Sequence, residues 1–262
     1  MKKDFISLKG KSILITGVSR PLGIGTTLAK TLADAGANII THGYSTYDEN
    51  MHYSDASFDY TTKFIQDLKE KGYNIKKLPS SDLSLLGEAE KVIQDAKNVF
   101  GQLDGIILNH AYSVNASLFD WTEEHIDKHM IINVRASMLM SQEFAKHIGK
   151  NGGVITLFTS GQYLGPMVNE IAYATSKEAI RGLSQQLAAA MADLKIRVNC
   201  VNPGPTDTGW AVNETYTDLL NRFPFKRWGT PDDVAKLVLF LHSDYAQWIT
   251  GQTIASEGGF QR

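Results

Sequence analysis

A chain of 262 residues, 43% hydrophobic and 21% charged, is long enough to bury one large core and needs no disorder to explain it. Its formal net charge of -2 gives no electrostatic reason to expect nucleic acid or an anionic membrane as partner. The one cysteine, Cys200, excludes an intrachain disulfide. No apolar run approaches the roughly 20 residues of a membrane span, so the expected location is the cytoplasm.

In chain order, SILITG at 12–17 predicts a first strand, and a helix over 24–36 follows with Gly36 as its C-cap. ANIITH at 37–42 predicts the second strand, and 43–58 a polar, Tyr-rich loop longer than most such connections. A helix over 59–71 ends at Gly72, a third strand begins at Asn74, and a helix over 85–100 ends at Gly101. LDGIILNH is the fourth strand. A long helix near 122–149, the strand GVITLFTS at 153–160, a helix near 173–193 and the strand KIRVNCVNP come next. Cys200 lies in that last run and reads as a packing residue. A variable stretch covers 205–229, a helix starts near Pro231, and QTIAS is the last strand. The N-terminal lysines have no apolar segment behind them and do not read as a secretory signal.

Short apolar runs alternating with helical patterns are the mark of stacked βαβ units. The expected fold is α/β: one doubly wound, Rossmann-type domain over 1–262 with about seven parallel strands. Ligands in such sheets bind beyond the carboxyl ends of the strands. The residues there carry the functional argument.

Thr16-Gly17-Val18-Ser19-Arg20-Pro21-Leu22-Gly23-Ile24-Gly25 joins the first strand to the first helix. Glycines let a backbone turn tightly and approach a pyrophosphate, and the helix N-terminus behind them offers free N–H groups. The spacing is not the general G-x-G-x-x-G, and alone it reads equally as a tight structural turn. NAD enzymes usually place an acid at the end of the second strand; here Ile40-Thr41-His42-Gly43-Tyr44 has none, and no carboxylate follows until Asp48. NADP(H) is therefore favoured, with NAD(H) possible. Arg20 is either the cation for a 2′-phosphate or a solvated surface residue. Asp82, with Leu83 after the third strand, is placed either to accept from an adenine amino group or to cap the next helix.

Tyr173 and Lys177 stand at i and i+4 in YATSK, on one face of a helix. A free tyrosine, with pKa about 10, is a poor acid-base group near neutrality, and a neighbouring ammonium pulls it toward the working range. Ser160 ends a strand and is suited to hold a substrate oxygen while the proton moves. His125 and His129 are also i, i+4, but no third ligand accompanies them and no metal is expected.

With TGVSRPLGIG, LNHA, IINVR, TSG, YATSK, NPGPTDTG and TGQTIASEGG on the page, the chain resembles the short-chain dehydrogenase/reductase family over nearly its whole length. Within it, the chain looks most like 3-oxoacyl-[acyl-carrier-protein] reductases of fatty acid biosynthesis. The resemblance implies a catalytic set of Asn133, Ser160, Tyr173 and Lys177. Asn133 would kink its helix and hold a relay water, Ser160 would polarise the carbonyl, Tyr173 would be the general acid or base, and Lys177 would hold the nicotinamide ribose and lower the tyrosine pKa. The cofactor set is Gly17, Ser19, Arg20, Gly23, Ile24, Asp82, Leu83, Asn109, Ala111, Tyr173, Lys177, Pro203, Gly204, Thr206 and Thr208. The substrate set is Ser160, Gln162, Tyr173 and Trp210, with the 205–229 stretch as a cover. The expected partners are a small-molecule or acyl-thioester carbonyl substrate, acyl carrier protein as a candidate, and other copies of the chain in a homotetramer.

Three departures stand out. Pro21 and Leu22 make the glycine loop two residues longer than the family spacing. Asn109-His110-Ala111-Tyr112 replaces Asn-Asn-Ala-Gly, which leaves His110 as a core or site residue and sets the Tyr112 side chain close to the cofactor path. The arginines that meet acyl carrier protein are absent at Lys150-Asn151-Gly152 and Asp193-Leu194-Lys195. Two other functions compete with the reductase: dehydrogenation of a sugar, steroid or small secondary alcohol, and non-catalytic nucleotide sensing. The complete acid-base set argues against the last.

Overall fold

Runs of aliphatic residues make the strands, and helices striped with Leu, Ile, Val and Ala close over them. The computed structural model describes residues 6–57 and 59–262; the N-terminal lysines lie outside the described residues. The strands are β1 (Ser12–Ile15), β2 (Asn38–Thr41), β3 (Ile75–Lys77), β4 (Gly105–Leu108), β5 (Gly153–Phe158), β6 (Ile196–Asn202) and β7 (Thr253–Ala255). They form one seven-stranded sheet in the order β3-β2-β1-β4-β5-β6-β7. Every neighbouring pair is parallel.

The helices are α1 (Ile24–Asp34), α2 (Ser45–Asn50), α3 (Tyr60–Glu70), α4 (Glu88–Phe100), α5 (Glu123–His129), α6 (Ala136–His147), α7 (Ile171–Ala190), α8 (Asn213–Asn221) and α9 (Pro231–His242). A parallel sheet needs both faces covered, so successive strand residues are buried in both directions. Leu14, Ile106, Ile155 and Val198 pack with Ile93 of α4, Met140 and Phe144 of α6 and Ile180 of α7. Ile13, Ile39, Ile107 and Val201, on the other face, pack with Leu28 and Leu32 of α1 and Val238 and Leu241 of α9. Truncating a fully buried isoleucine of either layer to alanine typically costs about 2–5 kcal/mol.

Four elements differ from their expected bounds. The loop at 43–58 contains α2, whose Ser45 and Asp48 are buried. The helix foreseen from 85 starts at Glu88, because Asp82 Oδ1 accepts the Ser84 amide in a local turn and Gly87 is left-handed at φ 82°. The long helix near 122–149 is three pieces: α5, a π-helical stretch Met130–Arg135, and α6. The variable stretch holds α8, whose neighbours Phe223 and Trp228 form a small third core with Ala211.

The sheet order reverses between β1 and β4, where one chain direction leads to β2 and the other to β5. A crevice opens at that point, above the carboxyl ends of the strands.

Candidate active site

The crevice is a cleft of about 530 Å³. Its floor is the glycine loop between β1 and α1. Gly17 takes φ +71°, and a Cβ there would sit 2.7 Å from Asn109 Nδ2; a Cβ on Gly25 would sit 2.3 Å from the Gly17 carbonyl. Glycine is required at both. The N-cap of α1, Gly23, carries no capping side chain, so the first amides of the helix face the cleft unengaged by a cap. Asn109 holds the loop from the β4 side, its Nδ2 donating to the carbonyls of Thr16 at 3.1 Å and Gly17 at 3.2 Å.

The cleft brings together Gly17, Ser19, Arg20, Gly23, Ile24, Asp82, Leu83, Asn109, Ala111, Thr208 and Tyr173. Pro203, Gly204 and Thr206 lie beyond it, in the turn after β6, where Thr206 donates to the Pro203 and Gly204 carbonyls. Lys177, Ser160, Asn133, Gln162 and Trp210 also stand outside its walls. A floor of glycines, a bare helix N-terminus and a long cleft running to Tyr173 fit a dinucleotide, pyrophosphate on the helix end. His110 Nε2 is buried without a partner and borders the same cleft.

At the far end, Tyr173 and Lys177 share one face of α7. Ser160 lies close enough to the Tyr173 phenol to act on its ionisation. Lys177 Nζ donates to the Phe158 carbonyl at 3.0 Å and lies 5.5 Å from the Tyr173 ring centroid. Burial brings the Lys177 ammonium down to about 8. Burial also holds the Tyr173 phenol well above its ordinary range; Glu170 adds to the rise and Ser160 opposes it. The net direction for the tyrosine is therefore upward, because burial outweighs the groups that favour the phenolate. The ammonium is anchored to a carbonyl behind the ring and is itself poorly solvated.

Asn133 sits in the π-helical stretch, as a helix-kinking residue should. Its Oδ1 accepts the Tyr112 amide at 2.7 Å, and its Nδ2 donates to the Tyr112 carbonyl at 3.0 Å and to Ser176 Oγ at 2.8 Å. The side chain is thus engaged, and a relay water would meet the backbone carbonyl, which already accepts from Ser137 at 2.7 Å. Gln162 is likewise occupied: it accepts the Ser160 amide at 3.2 Å and donates to Thr159 and Glu178. That arrangement steadies Ser160. Trp210 donates to the Thr206 carbonyl at 2.8 Å and stands edge-on to Trp228, with 45% of its surface exposed.

His110 takes Thr16 as partner, Nδ1 to Oγ1 at 2.8 Å. Burial and the nearby Lys177 push it down to about 3, so it is neutral. Tyr112 presents its ring to Tyr47 of α2 on one side and His129 on the other, and His129 meets Tyr173. His129 itself bonds the His125 carbonyl through Nδ1. Among the described residues no cluster of ligating side chains suits a metal ion.

The sequence reading missed one whole wall. Tyr44, Tyr47, Asp48, Asn50 and Tyr53 border the cleft. The only signal was a loop too long and too rich in tyrosine to be a plain connection. Arg20 needs a correction with it: it is not a free cation facing an acid-free site. Its guanidinium contacts Asp48 at 3.4 Å and Asp55 at 2.6 Å.

A family model described as enoyl-(acyl carrier protein) reductase matches residues 17–261. An uncharacterized oxidoreductase of Bacillus subtilis, YjdA, is 37% identical over 96% of this chain and 97% of its own. A 3α-hydroxysteroid dehydrogenase of Mediterraneibacter gnavus is 30% identical over 97% of this chain and 98% of its own. Among solved structures, a short-chain dehydrogenase of Burkholderia cenocepacia in complex with NADP superposes with a TM-score of 0.85 at 29% identity, covering 96% of this chain and 98% of that one. With sheet order, cleft and relatives in agreement, the chain belongs to the short-chain dehydrogenase/reductase family and is an NAD(P)-dependent oxidoreductase.

Proposed function

We propose that the chain reduces a carbonyl to a secondary alcohol with NADP(H), Tyr173 acting as general acid. The observation that carries this is the corner at the end of the cleft, where the Tyr173 phenol lines the wall with Ser160 near it and Lys177 Nζ 5.5 Å from its ring centroid. Gly17, Gly23 and the N-terminus of α1 would hold a nicotinamide dinucleotide, which when bound would supply the hydride. As the carbonyl carbon receives it, the C=O π electrons move to oxygen. Ser160 donates to that oxygen, and the phenolic proton of Tyr173 transfers to it, leaving a phenolate. Lys177 stabilises the phenolate and, through solvent, returns the proton. Alcohol oxidation runs the same steps backward. Asn133 holds the helix bend that frames this corner.

NADP(H) over NAD(H) is supported by the acid-free end of β2 and by the NADP-bound relative; Arg20 on the cleft wall is already shared with Asp48 and Asp55. Apolar residues stand exposed on the loops after β4, β5 and β6: Phe119, Val168, Trp210, Val212 and Phe225. They suit an apolar substrate under the 205–229 cover. A 3-oxoacyl compound is one such substrate. The missing carrier-protein arginines favour a free or coenzyme-linked acyl chain over an acyl carrier protein. The steroid-dehydrogenase relative favours a second reading, a ring ketone or alcohol. The setting in this proposal is the cytoplasm, and the assembly a homotetramer.

Following reduced-cofactor absorbance over a panel of 3-oxoacyl thioesters, steroid ketones and simple ketones tests the function. Turnover of thioesters over ketones supports the first reading, and the reverse supports the second. No turnover of any carbonyl or alcohol, with cofactor bound, rejects both.

A further inference from the structure

Two connections in this chain are longer than the fold requires, and they touch. Pro21 and Leu22 extend the glycine loop, and the segment between β2 and α3 carries α2. The Leu22 amide donates to Asp55 Oδ2 at 2.9 Å. Arg20 Nη1 donates to Asp55 Oδ1 at 2.6 Å and to the Thr208 carbonyl at 3.2 Å. Arg20 Nε lies 3.4 Å from Asp48 Oδ1, and the Tyr53 ring covers the guanidinium at 3.8 Å. The side chains of Arg20 and Asp48 are 9% and 10% exposed, so this is a built charge cluster and not a surface pairing.

The charges do not cancel. One guanidinium faces two carboxylates, both supplied by the added segment. Asp48 Oδ2 is buried and has no hydrogen-bond partner, although Asp48 borders the cleft. A buried carboxylate oxygen left unpaired is costly and wants a donor. A ribose hydroxyl is a donor. A ribose phosphate is an acceptor bearing negative charge, and it must compete with Asp48 and Asp55 for Arg20. Burial raises the Asp48 carboxyl above its ordinary range; the nearby Ser19 hydroxyl and the Arg20 charge oppose the rise, and Asp55 and Glu49 add to it.

We infer that Asp48 is a cofactor-specificity residue. With Asp55 it occupies Arg20 and offers an acceptor to a ribose hydroxyl, so that the site admits NAD(H) and its preference for NADP(H) is held down. This rests on the reading of the cleft as the dinucleotide site. Asp48 lies on α2, not at the end of β2 where such an acid is usually sought.

Fluorescence titration of NADH and NADPH into the full chain, wild type against Asp48→Asn, reads the effect without any substrate. Asparagine keeps the shape and removes the charge. The ratio of NADH to NADPH dissociation constants should rise about tenfold or more in the variant. A ratio that stays within about threefold of wild type overturns the inference. If Asp48→Asn fails to fold, Asp55→Asn removes the other carboxylate and must move the ratio in the same direction; an unmoved ratio there overturns it too. Failure of both nucleotides to bind the wild-type chain would reject the dinucleotide reading itself, and with it this inference.

Discussion

Burial holds Tyr173 as a neutral phenol, and that is the form a reduction needs. Its burial resists early ionisation, and the nearby Ser160 offsets part of that resistance. The i, i+4 spacing of YATSK made the shared face with Lys177 legible. The direction of the tyrosine shift was not, because it depends on how deeply both groups are buried and on the Phe158 carbonyl that anchors Lys177. Lys177 has its folded pKa lowered to about 8. Its ammonium is present below that pH and lost as pH rises through it. The rate of carbonyl reduction should therefore decline above pH about 8, and a pH–rate profile checks this. Lys177→Ala should lower kcat by about 10²-fold and flatten that decline. A profile with the same decline in the variant would assign it to another group.

At the scale of elements, the strand–helix alternation foretold the sheet, because a doubly covered parallel sheet writes itself as separated apolar runs. Irregular pieces escaped. The break at Met130–Arg135 depends on Asn133 bonding Tyr112, a partner 21 residues away. Helix α2 is six residues long and is set by the burial of Ser45 and Asp48 and by contacts of Asp48 with Arg20 and Tyr47 with Ser113, not by its own periodicity. The glycine loop was legible as a turn, but its contact with Asp55 was not. The loop also makes a direct prediction. A Cβ on Gly25 would lie 2.3 Å from the Gly17 carbonyl, a backbone atom that cannot move without moving the loop. Gly25→Ala should destabilise the fold by about 1–3 kcal/mol, as overpacking does, and weaken cofactor binding. Urea unfolding and cofactor titration measure the two effects; a variant unchanged in both would mean the loop is slack.

Across the whole molecule, buried histidines tie stability to pH. Burial pushes His42 down to about 4, and burial with nearby cations pushes His110 and His242 down to about 3. Lys177 acts on His110 and Arg197 on His242. Each folded pKa lies below the unfolded value of about 6.5, so the unfolded chain binds more protons as pH falls below that value. Stability is kept above pH about 6.5 and drains away toward pH about 4, at up to about 1.4 kcal/mol per pH unit for each histidine. The urea midpoint at pH 5 should be well below that at pH 7; equal midpoints would contradict the burial of these rings. No helix among the described residues is long and apolar enough to cross a membrane. Helix α7 leaves Gly182, Gln185, Gln186, Ala189 and Ala190 exposed, an uncharged stripe open to another copy. Light scattering at micromolar concentration should return about four times the 28.9 kDa chain mass, and a monomer would contradict the tetramer.

The central claim is that Tyr173 delivers the proton. Phenylalanine at this position keeps the ring against His129 and removes only the hydroxyl beside Ser160. The decisive measurement is kcat for the best carbonyl substrate beside the NADPH dissociation constant, in wild type and Tyr173→Phe. The account predicts a kcat lower by about 10²-fold or more, the minimum for a lost general acid, with NADPH affinity nearly unchanged. A variant retaining more than about a tenth of wild-type kcat would contradict it.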